Sequence, residues 1–228
     1  MNASSSQKSS KQEPILWDDI DTVLLDMDGT ILDLAFDNYF WLEYMPKIYG
    51  EKNNLSLEEC KKLLSESYGQ YQGTLEWYCL DFWSKKLDID IPALKLTLKE
   101  KVKFRPGAIE FLESLESMKK AVYLVTNAHP KTLEIKLLNV KFHRYFKALT
   151  SSHDFGYPKE EQAYWHALQD KIPFDPERTL FVDDSVKILK SAQEYGIKHI
   201  FGIAKPDSTR PEVDSSPFPA IYDFTWVI

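Results

Sequence analysis

Cys60 and Cys79 are the only cysteines in a chain of 228 residues. Two thiols make no disulfide framework, and their spacing gives no CxxC pair, so two reduced structural thiols in a cytoplasmic protein are expected. Long apolar runs are missing too. None approaches the roughly 18 residues that a membrane-spanning helix requires. Basic residues are outnumbered, 28 Lys and Arg against 35 Asp and Glu, for a net charge of -7, which argues against nucleic acid as a partner and leaves no polybasic membrane patch. Neither GxGxxG nor a P-loop is present, so no dinucleotide or P-loop site is indicated. The five histidines lack the spacing of a zinc site. The opening MNASSSQKSSKQE is polar and has no apolar segment; it is not a secretory signal, and residues 1–13 are expected to be a disordered lead-in.

What remains is ordinary for a globular protein, 43% hydrophobic and 28% charged, and long enough for a core domain carrying a smaller one. Four apolar runs without polar alternation suit strands buried on both faces of a parallel sheet: TVLLD (22–26), AVYLVTN (121–127), TLFVDD (179–184) and HIFGIA (199–204), with a fifth at FKALTSS (146–152). Between them lie helical patterns at 106–120, 129–138, 160–171 and 185–196, with Pro106 placed to occupy a first helical turn and Gly196 to close a last one. Strands alternating with helices predict an α/β fold with a doubly wound parallel sheet and right-handed crossovers. The interval 34–104 breaks the rhythm. It holds no strand-like run, carries a Ser56–Glu59 capping box and is rich in aromatics, so it reads as an inserted helical subdomain, with 14–33 and 105–228 forming the core.

The chemistry collects at strand ends, where a parallel sheet forms its ligand crevice. The first strand delivers Asp26 and Asp28, the second Thr126 and Asn127, and the run at 179–184 ends in Asp183 and Asp184. Any one pair is an ordinary loop; three on one edge are not. Converging carboxylates imply a hard divalent cation, Mg2+ by default where phosphate is handled. Asp26 can then be a nucleophile that accepts a phosphoryl group, and Asp28 can protonate the leaving oxygen and later deprotonate water. Gly29 lets the chain turn close to the ligand and Thr30 can hold that turn by a local hydrogen bond. Lys159 is the candidate cation for the moving phosphoryl oxygens. Ser185 is expected to N-cap the following helix.

These motifs resemble those of the haloacid dehalogenase (HAD) superfamily phosphatases: DMDGT (26–30), VTN (125–127), Lys159 and VDD (182–184) stand in that superfamily's order. The insertion resembles its C1 type of cap. The resemblance implies a HAD-like Rossmannoid core, with Asp26 as nucleophile and Mg2+ ligand and Asp28 as acid/base and backbone-carbonyl ligand. Thr126, Asn127 and Lys159 would bind phosphate, Asp183 the metal, and Asp184 the metal directly or through water. Longer strings, among them WDDIDTVLLDMDGTILDLAFDNYFW (17–41), LEWYCLDFWS (75–84), TNAHP (126–130), FGYPKE (155–160) and PDS (206–208), resemble a bacterial purine 5'-nucleotidase group that hydrolyses GMP and IMP. On that resemblance Asn38 would hydrogen-bond a base and Tyr39, Trp41 or Tyr78 would stack on it. Two flanking features are read structurally: Asp154 as a loop cap and Arg105 as part of the hinge to the insertion.

The resulting expectation is a Mg2+-dependent phosphomonoesterase acting on purine nucleoside monophosphates. Sugar phosphates or other small esters are the alternative substrates. A non-catalytic interaction protein would be expected to lose a site position, and all six are intact. Dehalogenation would leave Asp28 without a role. Oligomeric state is not legible.

Overall fold

The computed structural model describes residues 14–227, so the predicted lead-in at 1–13 lies outside the described residues. Six strands form one sheet: β1 (Thr22–Leu25), β2 (Ala121–Thr126), β3 (Ala148–Ser151), β4 (Thr179–Asp183), β5 (His199–Ile203) and β6 (Ala220–Ile221). Every pairing is parallel, in the order β3-β2-β1-β4-β5-β6. Strand β1 is buried at every position, which explains its lack of polar alternation. Val23 and Leu25 pack with Phe111, Leu112 and Phe142 on one face, and Leu24 packs with Trp165, Leu168 and Leu189 on the other.

The topology places the chemistry. Strand β1 is central, with β2 on one side and β4 on the other, and the register sets Leu25 opposite Leu124 and Val182. The residues that follow therefore emerge together at one carboxyl edge, where the strand order reverses direction. Such a switch point opens a crevice between the loops.

Helices α1 (Ala35–Tyr39) and α2 (Met45–Asn53) are joined by a π-helical turn, Phe40–Tyr44, next to Pro46, which cannot donate to the preceding turn. Then come α3 (Leu57–Gly69), α4 (Leu75–Tyr78), α5 (Leu80–Leu87) and α6 (Ile91–Thr97). These helices lie between β1 and β2 and have their own apolar centre in Phe40, Leu64, Tyr68, Leu80, Trp83 and Ile91. Trp83 stands edge-on to Tyr68 at 5.0 Å and to Phe82 at 5.2 Å. The Ser56–Glu59 capping box forms as predicted. The insertion leaves and re-enters the core through a paired stem: Leu32 bridges Phe104 antiparallel, Asp33 N–H donates to Lys103 O at 2.9 Å, and Arg105 N–H donates to Ile31 O at 2.9 Å.

Helices α7 (Ala108–Ser117), α8 (Pro130–Asn139), α9 (Gln162–Lys171) and α10 (Val186–Tyr195) cover the sheet. Gly196 closes α10 in the left-handed region, as expected. Pro106 does not enter a first helical turn: α7 begins at Ala108 and its N-cap is Gly107. The two-residue β6 has no sequence signature, because its pairing with Gly202 and Ile203 uses backbone groups alone.

Candidate active site

Strand β1 stops at Leu25, and Asp26 begins a tight turn whose N–H donates to Val182 O at 3.0 Å. Met27 O then accepts from both Ile31 N–H and Leu32 N–H. Gly29 adopts φ +84°, and a Cβ there would overlap the Asp184 carboxylate and touch Pro206. Glycine is thus required twice, by dihedral and by space. Thr30 departs from expectation: its hydroxyl is buried without a partner among the described residues, so it does not hold the turn by hydrogen bonding. Asp28 lies in this turn rather than on the strand, so the two aspartates reach the crevice from different backbone positions.

Lys159 is 1% exposed and ties three strand ends together. Its ammonium donates to Asp26 Oδ1 at 2.6 Å, Asp183 Oδ2 at 2.7 Å and Val125 O at 3.0 Å. Its own N–H donates to Asn127 Oδ1 at 2.9 Å. Burial opposes the Lys159 charge, but Asp183 and Asp26 outweigh it and hold the ammonium above the ordinary lysine value. Burial pushes Asp26 up to about 6 even though Lys159 pulls it down.

Asp183 Oδ1 accepts from Ser185 N–H at 2.8 Å. Ser185 does occupy the N-cap position of α10, but its hydroxyl makes no capping bond; its backbone fixes Asp183 instead. Asp184 is raised well above the ordinary carboxylate range by burial, then by Asp183 and Asp26. Thr126 Oγ1 accepts from Ala128 N–H at 3.0 Å. Asn127 donates to Glu160 Oε2 at 2.9 Å, and Tyr78 OH from the insertion donates to Glu160 Oε1 at 2.8 Å.

A second charged chain was not legible in the sequence. Lys136 of α8, 1% exposed, pairs with both Asp28 and Asp37. Asp37 also accepts from buried Lys95 at 2.6 Å, whose ammonium lies 4.8 Å from the Phe40 ring centre. A lysine on an amphipathic helix ordinarily reads as solvated, so neither Lys95 nor Lys136 had a signal. Glu160 and Asp207 belong to FGYPKE and PDS, where only folding reveals their contacts with site residues. Asp207 is buried and accepts from Asn38 Nδ2 at 2.6 Å.

In this cluster five carboxylates, Asp26, Asp28, Asp37, Asp183 and Asp184, meet three buried ammonium groups, Lys95, Lys136 and Lys159. The carboxyl groups outnumber the ammonium groups by two. The donor set is all oxygen and Asp184 has no hydrogen-bond donor among the described residues, so the residues fit a hard divalent cation.

Above the carboxylates lies a cavity of about 450 Å³. All six motif residues line it, together with Asn127, Asn38, Trp41 and Tyr78. Tyr39 does not: it is 38% exposed, stacks on Tyr44 at 6.2 Å and lies under Lys101. Its position on α1 turns it away from the crevice. Arg105 is buried over Phe224 and donates to Thr30 O and Tyr222 O, in keeping with a hinge anchor. Asp154 caps its own turn with Ser151.

Comparison with known proteins agrees with this geometry. The model of the hydrolase family described as haloacid dehalogenase-like hydrolases matches residues 20–196, and the chain belongs to that family. Among its relatives, GMP/IMP nucleotidase YrfG of Escherichia coli (strain K12) is 44% identical over 214 residues, 94% of this chain and 96% of that protein. The fold is similar to that of a HAD phosphatase from Thermococcus onnurineus, with a TM-score of 0.76 at 20% identity, covering 90% and 95% of the two chains. It is also similar to the HAD-hydrolase YfnB from Bacillus subtilis bound to magnesium, with a TM-score of 0.60 at 24% identity, covering 81% and 88%.

Proposed function

We propose that this hydrolase is a Mg2+-dependent phosphomonoesterase that cleaves purine nucleoside 5'-monophosphates, GMP and IMP, through an aspartyl-phosphate on Asp26. The observation that carries the proposal is the buried Asp26–Lys159–Asp183 bridge at the floor of the cavity. It sets a carboxylate oxygen beside a fixed cation where a phosphoryl group would arrive. The 44% identity to a GMP/IMP nucleotidase supports the substrate class.

In this reading the helical insertion, 34–104, acts as a lid over the core formed by 14–33 and 105–228, with a nucleoside between Trp41 and Tyr78. Asn38 keeps its amide oxygen available for a base while its nitrogen is bound to Asp207. Asp26 attacks phosphorus, and Asp28 gives its proton to the departing 5'-oxygen, then takes one from the water that opens the acyl phosphate. Lys159, the Thr126 hydroxyl and Asn127 hold the phosphoryl oxygens. Asp26, Asp183, Asp184 and the Asp28 carbonyl would hold Mg2+, which supplies charge neutralisation when bound.

The test is phosphate release from a panel of nucleoside monophosphates and sugar phosphates. Release should favour GMP and IMP, vanish with EDTA, and return with added Mg2+. Asp26→Asn should remove turnover while leaving the fold intact. Release confined to sugar phosphates would keep the chemistry and overturn the substrate assignment; turnover by Asp26→Asn would remove the nucleophile.

A further inference from the structure

Spacing along the chain hides a cluster that folding assembles. Cys79 lies between α4 and α5 of the insertion, His129 is the N-cap of α8, and His153 follows β3. One ligand atom from each of these three side chains lies within 4.8 Å of the other two. The imidazole rings meet edge to face with centres 4.9 Å apart. His153 Nε2 is buried without a hydrogen-bond partner among the described residues, a costly arrangement for a polar atom. His129 Nδ1 accepts a 3.3 Å contact from Lys131 N–H, leaving Nε2, which lies 3.8 Å from the Asp81 carboxylate.

We infer that Cys79, His129 and His153 form a second metal site, for a thiophilic divalent ion such as Zn2+, that ties the insertion to the core. One sulfur and two imidazole nitrogens suit Zn2+ and not Mg2+. Three protein ligands leave a fourth position for water. Tetrahedral bonds of about 2.3 Å to sulfur and 2.0 Å to nitrogen put ligand atoms roughly 3.5 Å apart, so closure requires a movement of about an ångström. On binding, the Cys79 thiol loses its proton to solvent. The His129 ring proton moves to Nδ1, at the expense of the long contact from Lys131. The other cysteine, Cys60, is buried within the insertion and is not part of the cluster.

The site does not rest on the phosphatase reading, and its test avoids turnover. Protein in excess Mg2+ is titrated with Co2+, as a spectroscopic probe, and then with Zn2+. The expected result is a thiolate-to-cobalt charge-transfer band with intense four-coordinate visible absorption, saturating at one equivalent and erased by Zn2+. Cys79→Ser should lose the band, and His153→Gln should weaken Co2+ affinity by about tenfold or more. Zn2+ should raise the Tm of the wild type and not that of Cys79→Ser. Absence of the band in folded wild type would overturn the site, as would an unchanged band in Cys79→Ser. Should Cys79→Ser fail to fold, unchanged Co2+ affinity in His153→Gln would overturn it equally.

Discussion

Asp28 and Asp26 lie two residues apart and have different ammonium partners, Lys136 and Lys159. That separation lets neighbouring carboxylates be held independently, the proposed nucleophile by Lys159 and the proposed acid by Lys136 of α8. Lys136 touches Asp28, and we expect it to act by positioning. Its replacement by Met leaves Asp28 without an ammonium partner and Asp37 with Lys95 alone, a loss of about 3 kcal/mol, visible as a lower urea midpoint. Turnover should fall as well, by up to about a hundredfold where the proton donor is misplaced. Asp37→Asn should cost less stability in the Lys136→Met background than in the wild type, because only its pair with Lys95 is then lost. An equal cost of Asp37→Asn in the two backgrounds would show that Lys136 and Asp37 are not energetically coupled.

The turn after β1 is the element on which the site depends most. Gly29→Ala places a side chain at φ +84° and against Asp184. The dihedral alone costs about 1–2 kcal/mol, and the overlap displaces a proposed metal ligand. We therefore expect reduced stability together with a higher Mg2+ requirement for turnover. Stability loss with unchanged Mg2+ dependence would mean that Asp184 is not held by this contact. At this scale much was legible in the sequence. The strands at 22–26, 121–127, 179–184 and 199–204 were visible because burial on both faces removes polar alternation, and the Ser56 box because capping chemistry is local. Motif residues at strand ends were visible because parallel strands deliver them to one edge. The pairings that depend on tertiary burial were not. Lys95 and Lys136 look like solvated lysines, and Cys79, His129 and His153 are separated by 50 and 24 positions. Ser185 carried a capping signature, yet it acts through its backbone, since the N–H is committed to Asp183.

Across the whole molecule, the contact between insertion and core combines apolar residues such as Phe36 and Val102, which join the core cluster, with polar pairs. Tyr78 meets Glu160, and Asp81 meets Lys131 and His129. On the proposed lid reading these polar pairs would part on opening, while the insertion's own aromatic centre would stay intact. Tyr78→Phe removes one hydrogen bond worth about 1 kcal/mol, enough to lower the closed-to-open ratio roughly fivefold. The expected outcome is a higher KM for GMP with little change in Tm; an unchanged KM would mean that this bond does not hold the lid. The paired stem has a different consequence. Because Leu32 and Phe104 face each other across an antiparallel bridge, their backbones are about 5 Å apart, a gap that a two-residue turn can span. The insertion is therefore a cassette. Excising it should leave a sheet whose neighbours β1 and β2 are still joined in register, but it would also remove Asp37 and Lys95, so any helical unit grafted onto the same two residues must bring its own carboxylate for Lys136.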